Sequence, residues 1–180
     1  DRSSCFKQLS KELSKNGIRF LRAAHFTPRQ KEECKAIFMS RILPLLSLMV
    51  LDAKHPLMQF ENMRSYMLFD LEKNGRRMVG VMAINPALDR LYKIGGGENT
   101  RLVALEELVR AFGHHAFIGY TVNGKMMMRV TRNADFDTQI DDADLECDFS
   151  AIMKKKVESR ARLNIVRLEI DNDDSRLKPF

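Results

Sequence analysis

The 180 residues, 44% hydrophobic and 30% charged, are enough for one domain with a sizeable core, which sets disorder aside and requires neither disulfides nor a metal to fold. No apolar run approaches the roughly 20 residues of a membrane span, since Pro44 interrupts the longest, Ile42 to Leu51. The net charge of +6 is uneven: residues 1–132 carry 22 Lys and Arg against 12 Asp and Glu, whereas residues 133–180 carry 8 against 12.

In chain order, Phe6, Leu9 and Leu13 recur at helical spacing from Ser3 to Asn16, and Gly17 supplies a stop. Ile18 to Leu21 reads as a short strand. Thr27, Pro28 and Gln30 form a capping-box start with proline at the first helical position, so a second helix is expected to about Ile42. Leu45 to Leu51 reads as a buried apolar segment, and Asp52 to Glu61, which contains Pro56, as a loop where the chain reverses.

Two hairpins with the same grammar follow. Ser65 to Leu71 and Met78 to Ile84 flank Asn74-Gly75, and Phe117 to Val122 and Lys125 to Thr131 flank Asn123-Gly124; Asn-Gly between such runs is a strong turn signal. Between them lie Gly95-Gly96-Gly97, a strand around Arg101 to Leu105 and a helix with Leu105, Leu108, Val109 and Phe112 on one face. A helix beginning near Asp141 to Asp144 and a strand from Ile165 to Ile170 close the chain. Hairpins mixed with helices give an α+β fold: a largely antiparallel sheet with β-hairpins and flanking helices, in one domain.

Several chemical motifs fail on their own terms. Gly119-x-x-x-x-Gly124-Lys125 opens like a P-loop, but Met126 stands where a magnesium-binding hydroxyl is needed, in a segment that reads as strand rather than loop and helix. Asp142, Asp144 and Glu146 have calcium-loop spacing, but Cys147 replaces the glycine that such a loop needs. His114 and His115 diverge whether in strand or helix, which disfavours a shared metal, and His25 and His55 lack the neighbours of an activated nucleophile. Met126 to Met128 read as core, and Lys154 to Lys156 as a solvated face. Cys5, Cys34 and Cys147 lack paired spacing and read as reduced. With no apolar leader at the start, a cytoplasmic address is expected, with peripheral membrane association left open.

Met128-Arg129-Val130-Thr131-Arg132-Asn133-Ala134-Asp135 closely resembles the Arg-Val-Thr-Arg-Asp/Asn-Ala-Asp signature of the polyphosphate kinase head, or middle, domain. Asn16-Gly17-Ile18, Ile42 to Leu46 followed by His55-Pro56, and Val166 to Ile170 extend the likeness in the same order along nearly the whole chain. The chain departs from the family pattern at His114-His115 and in the segment before Ile165.

The resemblance implies a phosphotransferase that moves the terminal phosphate of ATP reversibly onto polyphosphate, through a phosphohistidine and with Mg2+. That chemistry is expected in C-terminal domains, and an N-terminal helical domain helps hold the nucleotide, so this segment carries no catalytic residue and binds no cofactor itself. Its implied role is support of a homodimer and of the active-site tunnel, in contact with its own N- and C-terminal domains. Arg129 and Arg132 are the candidates for contact with polyphosphate, although strand alternation sends them to opposite faces; Arg132 with Asp135 has the alternative of bracing the following turn. Thr131, Asp135, His55 and Pro56 are expected to be structural. The competing reading is a stand-alone polyanion-binding module without kinase activity; nucleic acid is a less favoured partner.

Overall fold

The computed structural model describes residues 2–52, 59–96, 99–133 and 165–171. His55, Pro56, Asp135, the acidic run from Asp141, Cys147 and Lys154 to Lys156 lie outside the described residues.

The elements are α1 (Arg2–Lys15), β1 (Ile18–Leu21), α2 (Pro28–Ile37), β2 (Ser47–Leu51), β3 (Ser65–Lys73), β4 (Arg76–Ala83), β5 (Leu91–Ile94), β6 (Thr100–Ala104), α3 (Leu105–Phe112), β7 (Thr121–Arg132) and β8 (Ile165–Ile170). They form an α+β fold with two sheets, one of five strands in the order β2-β4-β3-β7-β8 and one of three in the order β1-β6-β5. Every pairing is antiparallel except β1 with β6.

Local chemistry accounts for several boundaries. Gly17 ends α1 with φ +76°, a conformation that costs glycine little. At the start of α2 the Thr27 hydroxyl accepts from the Gln30 amide while Gln30 Oε1 accepts from the Thr27 amide, and Pro28 occupies the first turn. The helix continues as one π-turn, Phe38–Ile42, and then a 3-10 turn, Leu43–Leu45, with Pro44 in its first positions.

The first hairpin is as the residues suggest. Lys73 pairs with Arg76 across Asn74 (φ 53°) and Gly75 (φ 72°), the two left-handed positions of a type I′ turn. The second is not a hairpin. Neither Asn123 nor Gly124 has positive φ, and both lie inside the single 12-residue strand β7. Asp70 pairs with Gly124 and Leu71 with Val122, so Asn123 is the extra residue of a β-bulge, its side-chain amide donating to Glu72 Oε2 at 3.1 Å. Continuous pairing with β3 satisfies more backbone than a turn would, and the reversal falls earlier, where Gly119 has φ +80°. The Gly119 to Lys125 stretch is therefore no P-loop, and Lys125 Nζ donates to the Arg110 carbonyl at 2.6 Å.

Leu45 to Leu51 also differs from expectation. Leu46 is buried, but β2 is a sheet edge that leaves Leu48 and Met49 exposed. One face of the large sheet, carrying Met67, Phe69, Leu71 and Met82, packs against the π-turn after α2 and against α3 through Phe38, Ile42, Leu105, Leu108, Val109 and Phe112. The other, carrying Tyr66, Val81, Ala83, Met128 and Val130, is packed by Leu51 and Phe60. Backbones approach closely on the first face: a Cβ at Gly80 would stand 2.7 Å from Leu71 and one at Gly113 2.7 Å from Phe69. Cys34 is fully buried there, and burial pushes its thiol up to about 11, which makes it inert in the folded chain.

Candidate functional site: a braced arginine strand and a basic groove

Strand β7 carries the arginines that the sequence singles out. Its neighbour β8 places Glu169 opposite Arg129, whose Nε donates to Glu169 Oε2 at 2.7 Å, and the other carboxylate oxygen lies 2.9 Å from Arg167. Arg129 shares the face of Met127, which packs against the helix-side core. Arg132 turns to the other face: its Nε donates to the Phe60 carbonyl at 3.0 Å, and its amide donates to Asn62 Oδ1 at 2.9 Å. The Met63 amide adds a bond to the Val130 carbonyl, 2.8 Å. Thr131, half-buried between them, pairs with Arg167. The two arginines thus occupy opposite faces, one stitching β8 to the sheet and the other holding the segment 59–63 against it.

A second basic region was not evident in the sequence. Residues of α1, β1, the turn after it and α3, with Asp171, line a groove of about 1030 Å³. Lys7 and Lys11, one helical turn apart, contribute from α1, and Arg19 and Arg22 from β1 and its exit. Phe6 and Phe20, both in its lining, are in ring contact at 5.9 Å between centroids, and Phe6 is half exposed. The groove's two carboxylates are engaged: Glu107 Oε2 accepts from the Ala23 amide at 2.8 Å, and Asp171 pairs with Arg110.

The histidines behave differently from one another. His25 is exposed in a single 3-10 turn after β1. His114 and His115 do not diverge as a regular strand or helix would make them; a 3-10 turn, Gly113–Ala116, brings their ring centroids to 4.1 Å, and His115 stacks on Phe112. Desolvation lowers the proton affinity of both, aided at His114 by His115, Lys125 and Lys35 and at His115 by Lys35 and Lys31. Both therefore lie below their ordinary value of 6.5, and the unfolded chain takes up these protons first. Stability should be full above that value and should fall as pH drops below it. In urea melts between about pH 7 and pH 5, His114→Gln/His115→Gln should show a shallower decline than the parent chain; parallel declines would contradict it.

Among the described residues, no group of three or more His, Cys, Asp or Glu comes together to hold a metal ion. Nor is any described helix long and apolar enough to cross a membrane.

Comparison with known proteins fits this architecture. A family model described as the polyphosphate kinase middle domain matches residues 29–177. A polyphosphate kinase of Pseudomonas aeruginosa is 29% identical over 166 residues, 88% of this chain and 24% of that protein. One from Erythrobacter litoralis is 30% identical over 139 residues, 77% of this chain and 19% of that protein. The crystal structure of polyphosphate kinase from Porphyromonas gingivalis superposes with a TM-score of 0.62 at 22% identity, covering 73% of this chain and 21% of that one, a likeness of fold. The chain spans a quarter or less of the length of these relatives.

Proposed function

This chain belongs to the polyphosphate kinase family and corresponds to its middle domain, and on that premise we propose that it serves as the non-catalytic head domain of an ATP-dependent polyphosphate kinase. The observation that carries the reading is the family match across residues 29–177, which includes the β7 signature strand.

In this reading the parent protein transfers the terminal phosphate of ATP to polyphosphate through a phosphohistidine, with Mg2+, on domains outside the chain. The head braces the homodimer and the wall of the active-site tunnel. Two features support a supporting role. None of the described histidines is shown beside a carboxylate that would activate it: His25 is exposed, His114 lies against His115, and His115 stacks on Phe112. Among the described residues β8 is an edge strand, and its Val166, Leu168 and Ile170, alternate residues on one face, are exposed, an apolar strip suited to a protein partner. Arg129 and Arg132, proposed from the signature as contacts for polyphosphate, serve first as braces, since protein acceptors already engage both side chains.

The second reading, a stand-alone polyanion-binding module, draws on the basic groove. The two separate in one assay: the purified chain, incubated with ATP and Mg2+, should make no polyphosphate, while the full reading frame that encodes it should. Turnover by the chain alone overturns the non-catalytic assignment. A reading frame that ends with these residues and has no kinase activity favours the module.

A further inference from the structure

We infer that β8 is a self-pairing edge: its outer side joins β8 of a second copy of this chain, antiparallel and centred on Leu168, so that two five-stranded sheets become one. Only the expectation of a homodimer belongs to the head-domain reading, which names no surface for it. The surface comes from the strand itself and would serve a stand-alone module equally.

Backbone direction is the first argument. The Asp171 amide donates to the Met127 carbonyl at 2.9 Å, which makes 127 and 171 a hydrogen-bonded pair of the antiparallel ladder. Such pairs alternate along the strands, so Arg129 with Glu169 and Thr131 with Arg167 are hydrogen-bonded pairs too. Leu168 and Ile170 then turn their amides and carbonyls away from β7. Among the described residues no strand pairs on that side. Leu168 thus presents outward one donor and one acceptor, which Leu168 of a copy related by a two-fold axis takes up reciprocally.

Side chains supply the register. With Leu168 on the axis, Arg167 stands opposite Glu169 of the second copy and Glu169 opposite its Arg167, one ion pair on each side of the axis. Glu169 keeps Arg129 on Oε2, while Oε1 lies 2.9 Å from Arg167 of its own strand. Residues opposite each other in these non-hydrogen-bonded pairs lie about 4.5 Å apart at Cα, against about 6.6 Å for residues two apart on one strand, so the second copy's Arg167 is the nearer partner. On the other face Leu168 meets Leu168 and Ile170 meets Val166, all exposed. Leu168 and Ile170 pair with Val130 and Met128, both buried, so this strip continues a core past the sheet edge. The register shift of β8 against β7 falls at Val166, outside the central three residues.

Among the described residues no other sheet edge has this pattern. β2 is uncharged, and β1 and β5 carry one cation each, Arg19 and Lys93, with no carboxylate to meet it. Charge on an edge strand ordinarily repels a second copy. In β8 the two charges are opposite in sign and flank the axis, which attracts one.

The test is sedimentation velocity of the 180-residue chain over a concentration series, with the variants Arg167→Glu and Leu168→Asp and the β2-edge control Met49→Lys. Circular dichroism and melting curves verify folding. The parent chain and Met49→Lys should share one monomer–dimer equilibrium. Arg167→Glu sets like charges opposite each other twice and leaves Glu169 with Arg129, so its dimer should dissociate about tenfold more readily or worse. A second measurement does not depend on dissociation: Leu168→Cys, on a Cys5→Ser/Cys147→Ser background, is oxidised. Paired Cα atoms about 5.5 Å apart should give an intermolecular disulfide, and adding Arg167→Glu should slow its formation. A monomeric parent chain, a dimer that survives both Arg167→Glu and Leu168→Asp, or no cross-link at 168 overturns the inference. So does a dimer that only Met49→Lys dissociates, which would move the interface to β2. Each of these leaves the family reading intact, whereas polyphosphate synthesis by the chain alone would overturn the head-domain reading without touching β8.

Discussion

Replacing Phe69 by alanine is expected to cost about 3–5 kcal/mol of stability, read as a lower urea midpoint with an unchanged slope. The ring is fully buried at the centre of β3, with its centroid 4.9 Å from that of Phe117. Its edge fits under Gly113, where an added Cβ would stand only 2.7 Å from Phe69 Cζ. Removing the ring leaves a cavity between the sheet and the turn after α3 that the backbone cannot collapse to fill. The same contact makes Gly113→Ala destabilising, by about 1–3 kcal/mol through overpacking. Because one clash is responsible, Phe69→Leu should recover part of the Gly113→Ala loss; strictly additive effects would show that the two positions do not meet.

Arg77→Ala should be the most damaging surface substitution, at about 2–3 kcal/mol. Asp70 is the one buried charged residue among those described, 3% exposed, and Arg77 reaches it across the hairpin with Nε at 3.3 Å and a terminal nitrogen at 2.8 Å. Arg77 itself is half exposed and can be rehydrated when freed, so the loss comes from stranding the carboxylate rather than from the pair's own worth. Asp70→Asn on the Arg77→Ala background should therefore regain stability, since an unpaired amide costs less to bury than an unpaired carboxylate. Chemical denaturation of the three proteins decides it: a further loss in the double variant would refute the account.

Where local chemistry decides the conformation, the sequence was legible. Thr27-Pro28-x-Gln30 closed its capping box, Leu105, Leu108, Val109 and Phe112 formed one buried face, and Asn74-Gly75 made its turn. The identical dipeptide Asn123-Gly124 misled because a turn signal carries no information about what pairs alongside. Here β3 pairs alongside the segment, and Glu72 accepts from the Asn123 side-chain amide, so the strand runs on through a bulge. The signature arginines announced the family but not their partners, because Glu169 and Phe60 lie 40 and 72 residues away. The groove is less legible still. It gathers α1, the chain from Arg19 to Ala24, part of α3 and Asp171, brought together partly by the parallel pairing of β1 with β6. The only local hints were Lys7 and Lys11 at helical spacing beside Phe6, and the excess of positive charge in residues 1–132.

The proposed division of labour, with family identity in this chain and phosphoryl chemistry outside it, is tested most directly by following the phosphate itself. The full-length parent and the 180-residue chain are incubated with ATP labelled on its terminal phosphate, and the acid-labile label is mapped by mass spectrometry. The expected result is phosphohistidine in the parent at a position outside residues 1–180 and no label on the chain. Label on His25, His55, His114 or His115 would contradict it.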